Sequence, residues 1–257
     1  MSDNSKIEWT DATWNPVTGC TKVSPGCDHC YAEALMDTRW GKVEWGPHGE
    51  RKRTSDANWK LPLRWARAAN GTRPRVFCAS LADWLDNQVP RSWRTDLWGL
   101  IEATPELDWL LLTKRIENYA KLVPWHADKI PSNVWLGITA EDQKHYDQRW
   151  AVLRQIPATV HFISYEPAIG ELYDITGDVI AEGGKRIPDW IICGGESGHG
   201  ARMMQPEWAR AVREACRLQG AKFFMKQMTG KKPIPADLLI REFPQKTASV
   251  VTADGRN

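Results

Sequence analysis

The sequence predicts an α/β fold, a partial (β/α) TIM-like barrel with parallel strands, and three observations carry that expectation. Short apolar runs recur along the chain, stretches with helical spacing separate them, and each run ends in polar or glycine residues. Runs of this kind fit strands buried on both faces. Their alternation with helices implies right-handed βαβ units and a parallel sheet. A chain of 257 residues also falls in the size range of a single barrel.

The elements follow in chain order. Ile7-Glu8-Trp9 is expected to be the first strand, and further strands are expected at Val76–Ala79, Trp109–Leu112, Val134–Ile138, Val160–Ile163, Trp190–Cys193 and Phe223–Met225. Between them, Trp93, Leu97, Trp98 and Ile101 form one stripe, Tyr146, Trp150 and Leu153 a second, and Trp208, Val212 and Ala215 a third. These are spacings at which side chains share one helical face. Pro206 opens the third helix and Gly220 closes it, the start and stop chemistry expected of a helix. Residues 1–257 read as a single domain. Its irregular parts are an insertion at about 41–58, containing Gly46-Pro47-His48-Gly49 and Glu50-Arg51-Lys52-Arg53, and a loose tail after about 244.

Composition narrows the function classes. Thirty-four Lys and Arg against 32 Asp and Glu leave a net charge of +2, too balanced for a nucleic-acid binder that relies on a basic face alone. No run of eighteen apolar residues occurs, and the start lacks the basic and apolar regions of a secretory signal. The expectation is a cytoplasmic protein with no membrane association, and with cysteines that do not form a disulfide framework. Fifteen tryptophans against five phenylalanines and five tyrosines mean that several indoles must pack in the core.

Cys20, Cys27 and Cys30 cluster near the amino end, while Cys78, Cys193 and Cys216 lie singly within apolar strands or a helix and read as small buried hydrophobes. Pro25 and Gly26 suit a turn, and residues Cys27 to about Met36 are expected to be helical, which would put Cys27 and Cys30 on one face. Three thiolates can hold three irons of a 4Fe-4S cluster and leave the fourth iron open to an exogenous ligand. A structural zinc completed by His29 or His48 is the competing reading, and a set of ordinary buried thiols is the third.

The strand ends supply the rest of a candidate site: Ser80 and Asp83; Thr113, Lys114 and Arg115; Thr139 and Glu141; Ser164 and Glu166; Gly194, Gly195, Glu196 and Ser197; Lys226 and Gln227. In a parallel barrel these converge on the face where such folds place active sites. Polar residues also end strands and cap helices for purely structural reasons.

The stretch Lys6–Pro16 leading into Gly19-Cys20 and Gly26-Cys27-Asp28-His29-Cys30-Tyr31-Ala32 belongs to a wider set of motifs. That set continues with Leu111–Arg115, Asn133–Gly137, Glu166-Pro167, Gly194–Gly198 and Phe224–Gln227. Together they closely resemble the phage Gp37/Gp68 (DUF5131) family, over residues of about 6 to 230. That family looks like a divergent branch of the radical S-adenosylmethionine enzymes, with some likeness to spore photoproduct lyase. The resemblance implies a partial barrel in which Cys20, Cys27 and Cys30 hold a 4Fe-4S cluster. The open iron would bind S-adenosyl-L-methionine, and an electron from an external donor would cleave it to a 5′-deoxyadenosyl radical. The loop between Cys20 and Cys27 is longer than that superfamily's usual one, and His29 stands where an aromatic residue usually covers the adenine.

On this reading His29, Ser80, Thr139, Gly194, Gly195 and Glu196 hold the cofactor, and Lys114, Arg115, Glu166, Arg202 and Lys226 line the substrate side. The Gly194-Gly195-Glu196 triplet is similar to that superfamily's Gly-Gly-Glu motif but follows a later strand. Cationic side chains suit phosphate or carboxylate, and the phage association suggests a nucleotide or nucleic-acid base as substrate. Two other functions fit parts of the sequence. One is a zinc-stabilised module gripping nucleic acid through Arg51, Lys52, Arg53 and exposed tryptophans. The other is a hydrolase using Glu166 and Glu196 as an acid/base pair.

Overall fold

A computed structural model describes residues 5–125, 129–176 and 187–244; the expected loose tail lies outside them. The strands are β1 (Ala12–Trp14), β2 (Val17–Thr18), β3 (Lys52–Arg53), β4 (Arg75–Cys78), β5 (Asp108–Thr113), β6 (Val134–Thr139), β7 (Val160–Tyr165), β8 (Trp190–Gly194) and β9 (Lys222–Gln227). The helices are α1 (Tyr31–Glu33), α2 (Asp56–Trp59), α3 (Leu61–Ala68), α4 (Arg91–Glu102), α5 (Tyr119–Leu122), α6 (Gln143–Leu153) and α7 (Pro206–Gln219). Seven strands form one parallel sheet in the order β1-β4-β5-β6-β7-β8-β9. The sheet is a half-barrel flanked by helices. The pair β2 and β3 makes a small antiparallel ribbon beside it.

Alternation along each strand separates two apolar layers. Phe77, Leu110, Trp135, Val160, Phe162, Trp190, Ile192 and Phe224 pack inside the curved sheet. Val76, Trp109, Leu111, Leu136, Ile138, Ile163, Ile191, Cys193, Phe223 and Met225 face the helices with Trp98, Ile101, Tyr146, Trp150, Val212 and Cys216. Helix boundaries follow from local chemistry. Asp142 caps α6 by accepting the His145 amide at 2.9 Å. Gly220 ends α7 in the left-handed conformation, φ 81°. Gly137 is required by contact rather than by its own torsions, because a Cβ there would run into the Phe162 ring.

The first strand is displaced from its expected place. Ile7-Glu8-Trp9 forms a turn, with the Thr10 amide donating to the Ile7 carbonyl at 3.2 Å, and β1 begins at Ala12. Trp9 instead plugs the interior, its ring 4.6 Å from Phe77 and 6.2 Å from Trp190. Apolar residues on either side of a polar one read as a strand with one buried face, and the burial of Trp9 as a plug leaves the same trace in so short a segment. Phe243 joins the plug, 5.4 Å from Trp190, with the Arg75 guanidinium 3.9 Å over its ring. Residues just before it cover the β9 edge: Met225 donates to the Ile240 carbonyl at 2.9 Å and Glu242 to the Phe223 carbonyl at 3.0 Å. An exposed strand edge is a template for aggregation, and this covering removes it.

Residues 41–58 are less irregular than their composition suggests, since they include β3 and the start of α2. Arg51 is buried there, donating to Asp86 at 2.8 Å, to the Gly49 carbonyl at 2.8 Å and to Thr21 Oγ1 at 2.7 Å. Lys52 donates to the Lys42 carbonyl at 2.5 Å, and Arg53 pairs with Asp96 while lying 3.7 Å over the Trp59 ring. The basic run holds the protein together. No helix among the described residues is long and apolar enough to cross a membrane.

Candidate functional site

The segment carrying the clustered cysteines leaves β2 and is pinned across the carboxyl ends of the sheet strands. Gly19 donates to the Leu81 carbonyl at 3.1 Å, just past β4. The Arg115 guanidinium, past β5, donates to the Thr21 carbonyl at 2.6 Å. Gly26 donates to Glu141 Oε1 at 3.4 Å, past β6. Arg202, beyond β8, donates to the Pro25 carbonyl at 2.7 Å and to Asp28 at 3.1 Å. Tyr31 returns the chain to β4 by donating to the Ser80 carbonyl at 2.7 Å. Four of the six strand ends named from the sequence, those of β4, β5, β6 and β8, are therefore tied to one loop.

The local structure of that loop differs from the expected single helix. Pro25–Cys27 is one tight 3₁₀ turn, and Cys30 is the extended N-cap residue of α1, whose last turns widen into a π-helical stretch, Ala34–Arg39. The extended backbone of Cys30, φ −67° and ψ 116°, interrupts the helical run, so Cys27 and Cys30 sit on separate turns. All three clustered cysteines are free thiols of intermediate exposure, whereas Cys78, Cys193 and Cys216 are free and buried. Among the described residues, no group of three or more His, Cys, Asp and Glu side chains is gathered so as to hold a metal ion.

Cys20 has the most structured surroundings. Arg115 Nη1 donates to its sulfur at 3.3 Å and to Asp83 Oδ2 at 3.0 Å. Asp83 in turn accepts from Thr113 Oγ1 at 2.7 Å, from the Lys114 amide at 2.9 Å and from the Leu85 amide at 3.0 Å. Burial pushes the Cys20 thiol up to about 11, against the opposing charge of Arg115. Burial by itself would lower the Arg115 pKa, but Asp83 and Cys20 more than reverse that and keep the guanidinium charged.

The remaining candidates form two groups. Lys114 Nζ lies 3.4 Å from Thr139 Oγ1, and Lys226 pairs closely with Glu166, so these four line the interior end of the sheet. Glu196 is spoken for by Arg202, which donates to its carboxylate from Nε and Nη2 and through the backbone amide. Burial raises the Glu196 pKa, and the Arg202 contacts outweigh that and hold it below the ordinary carboxylate value. Arg115 and Arg202 thus anchor the cysteine loop. Gly195 is matched to Thr229, whose amide a Cβ would approach to 2.5 Å, and Gly194 lies against Glu166 and Gln227. Ser80 Oγ accepts from Asn15 Nδ2 at 3.0 Å, and exposed His29 shares a hydrogen bond with the His199 carbonyl at 3.1 Å. His48 lines a surface depression with Gln88 and Pro90.

Sequence reasoning missed the anchoring pairs: Arg51 with Asp86, Arg115 with Asp83, and Glu141 with Arg149. Glu141 is fully buried and accepts from Arg149 at 2.7 Å. Burial raises its pKa, but the charges of Arg149, Lys114 and His145 outweigh this and hold it below its ordinary 4.5. Its contribution to stability is therefore present above about pH 4.5 and is lost as pH falls through the lower folded-state value. Glu141→Gln is expected to cost about 3 kcal/mol at pH 7, because it strands the buried Arg149 charge. Urea unfolding should show the gap to the unsubstituted protein narrowing in acid. A gap that stays constant with pH would remove Glu141 as the titrating anchor.

A family model described as "Protein of unknown function (DUF5131)" matches residues 4–251. No curated protein matches the chain, and no solved structure does.

Proposed function

The chain belongs to the DUF5131 family, and we propose that it is a radical S-adenosylmethionine-type iron-sulfur enzyme acting at the carboxyl-terminal mouth of its half-barrel. One observation carries the reading: a loop with three free thiols is clamped over that mouth by backbone carbonyls just past β4 and by the side chains of Arg115, Glu141 and Arg202 beyond β5, β6 and β8. Sulfur donors alone, on a segment fixed at many points, match the donor chemistry of an iron-sulfur cluster. A four-iron cluster takes one thiolate per iron, so its ligands need not meet at one point as they would around a zinc ion. An Arg N–H aimed at the Cys20 sulfur suits that sulfur in its thiolate form.

Cys20, Cys27 and Cys30 would hold the cluster, which when bound supplies one-electron reduction of S-adenosyl-L-methionine using an external donor. The chain's own residues do the rest. Arg115 and Arg202 hold the loop, and Glu141 steadies the Gly26 turn between Cys20 and Cys27. Lys114 and the Lys226–Glu166 pair line the interior beneath it, where a cationic side chain can orient an anionic group. That chemistry suits a phosphate- or carboxylate-bearing substrate, such as a nucleotide or a nucleic-acid base in its strand.

Oxygen-free reconstitution with iron and sulfide, followed by S-adenosylmethionine and dithionite, tests the reading. A brown protein forming 5′-deoxyadenosine is expected. A colourless protein that forms none sinks it.

A further inference from the structure

We infer that Arg115 is a positioning residue that sets the reduction potential of the metal centre through Cys20; this rests on the iron-sulfur reading above. Three observations carry it. The guanidinium is buried and donates from one nitrogen to the Cys20 sulfur and to Asp83, and from another to the Thr21 carbonyl. It is therefore held by three partners and cannot swing away from the sulfur without breaking all of them. Arginine stays protonated in proteins, so its N–H is a permanent donor to one ligand sulfur, while the paired Asp83 carboxylate offsets the guanidinium charge. Asp83 is itself saturated by Thr113, Lys114 and Leu85, which fixes the orientation of the pair with its positive end toward sulfur.

Hydrogen bonds to ligand sulfur, net charge and solvent exposure tune iron-sulfur potentials. An N–H held on a ligand thiolate withdraws charge from the sulfur and favours the more negative, reduced state of the centre. Arg115 therefore makes the centre easier to reduce. Arg51 provides a built-in contrast. It is equally buried and also grips Thr21, but through the hydroxyl, and its acidic partner is Asp86. A purely structural role would make the two arginines equivalent.

The test uses reconstituted full-length protein, potentiometric titration and electron paramagnetic resonance of the reduced centre, with folding followed by circular dichroism. Arg115→Gln is expected to lower the ratio of reduced to oxidised centre, at the potential where the unsubstituted protein is half reduced, by about tenfold. That ratio corresponds to about 59 mV for a one-electron couple. Arg115→Lys should recover part of the shift, and Arg51→Lys should leave the midpoint in place. An unchanged midpoint in Arg115→Gln that binds iron normally overturns the inference and leaves the iron-sulfur reading standing. An unsubstituted protein that takes up no iron and sulfide overturns both. If Arg115→Gln fails to fold, the unsubstituted protein labelled with ¹⁵N-arginine decides: coupling of an arginine nitrogen to the reduced centre supports the inference, and its absence overturns it.

Discussion

Alanine at Cys20, Cys27 or Cys30 is expected to strip iron from the reconstituted protein and to cut 5′-deoxyadenosine formation by about 100-fold or more. The floor comes from metal sites in general, where even an outer-shell change costs about 10–100-fold. The folded chain should survive each exchange. None of the three thiols is fully buried, and the loop keeps its other attachments, including Arg115 to the Thr21 carbonyl and Arg202 to the Pro25 carbonyl. Alanine at Cys78, Cys193 or Cys216 should do the reverse. These side chains fill the core, so their loss should lower stability by about 1 kcal/mol and leave iron uptake intact. Iron and sulfide analysis of the six variants side by side checks this, and a clustered-cysteine variant with full iron content would refute it.

Asp83→Ala is expected to be among the most damaging single exchanges for the fold near the site, at about 3–5 kcal/mol, the range for breaking a buried ion pair from one side. Side chains of Asp83 and Arg115 are only 8% and 7% exposed, so water cannot replace the lost carboxylate. The exchange also removes the acceptor for Thr113, Lys114 and Leu85. Urea unfolding measures it. A loss under about 1 kcal/mol, the worth of an exposed pair, would mean that water or a neighbour compensates the guanidinium. Asp83→Asn should lie between, since the amide keeps the shape and one acceptor.

The parts of the fold that were legible in the sequence are those written in local periodicity. The apolar runs from Val76 onward became β4 to β9, and the stripes at Trp93–Ile101, Tyr146–Leu153 and Trp208–Ala215 lie in α4, α6 and α7. The first strand was misplaced because Trp9 is buried without being in a strand. Residue spacing predicts one helix from Cys27 onward because it does not register the extended Cys30 that divides the segment. The polar strand ends were visible one by one, and their partners were not. Arg115 meets Cys20 across 95 residues and Arg202 meets Asp28 across 174.

By itself the sequence determined a parallel α/β half-barrel, the trio of thiols near its amino end and the polar fringe of its strands, because apolar spacing and residue chemistry are read a few positions at a time. Only the tertiary structure decided that Arg115, Arg202 and Arg51 serve as anchors, that Glu196 is already paired, and that the thiol loop lies across the barrel mouth. The physical reason is that a buried charge takes whichever opposite charge the fold brings within about 3 Å, and chain distance says nothing about which one that will be.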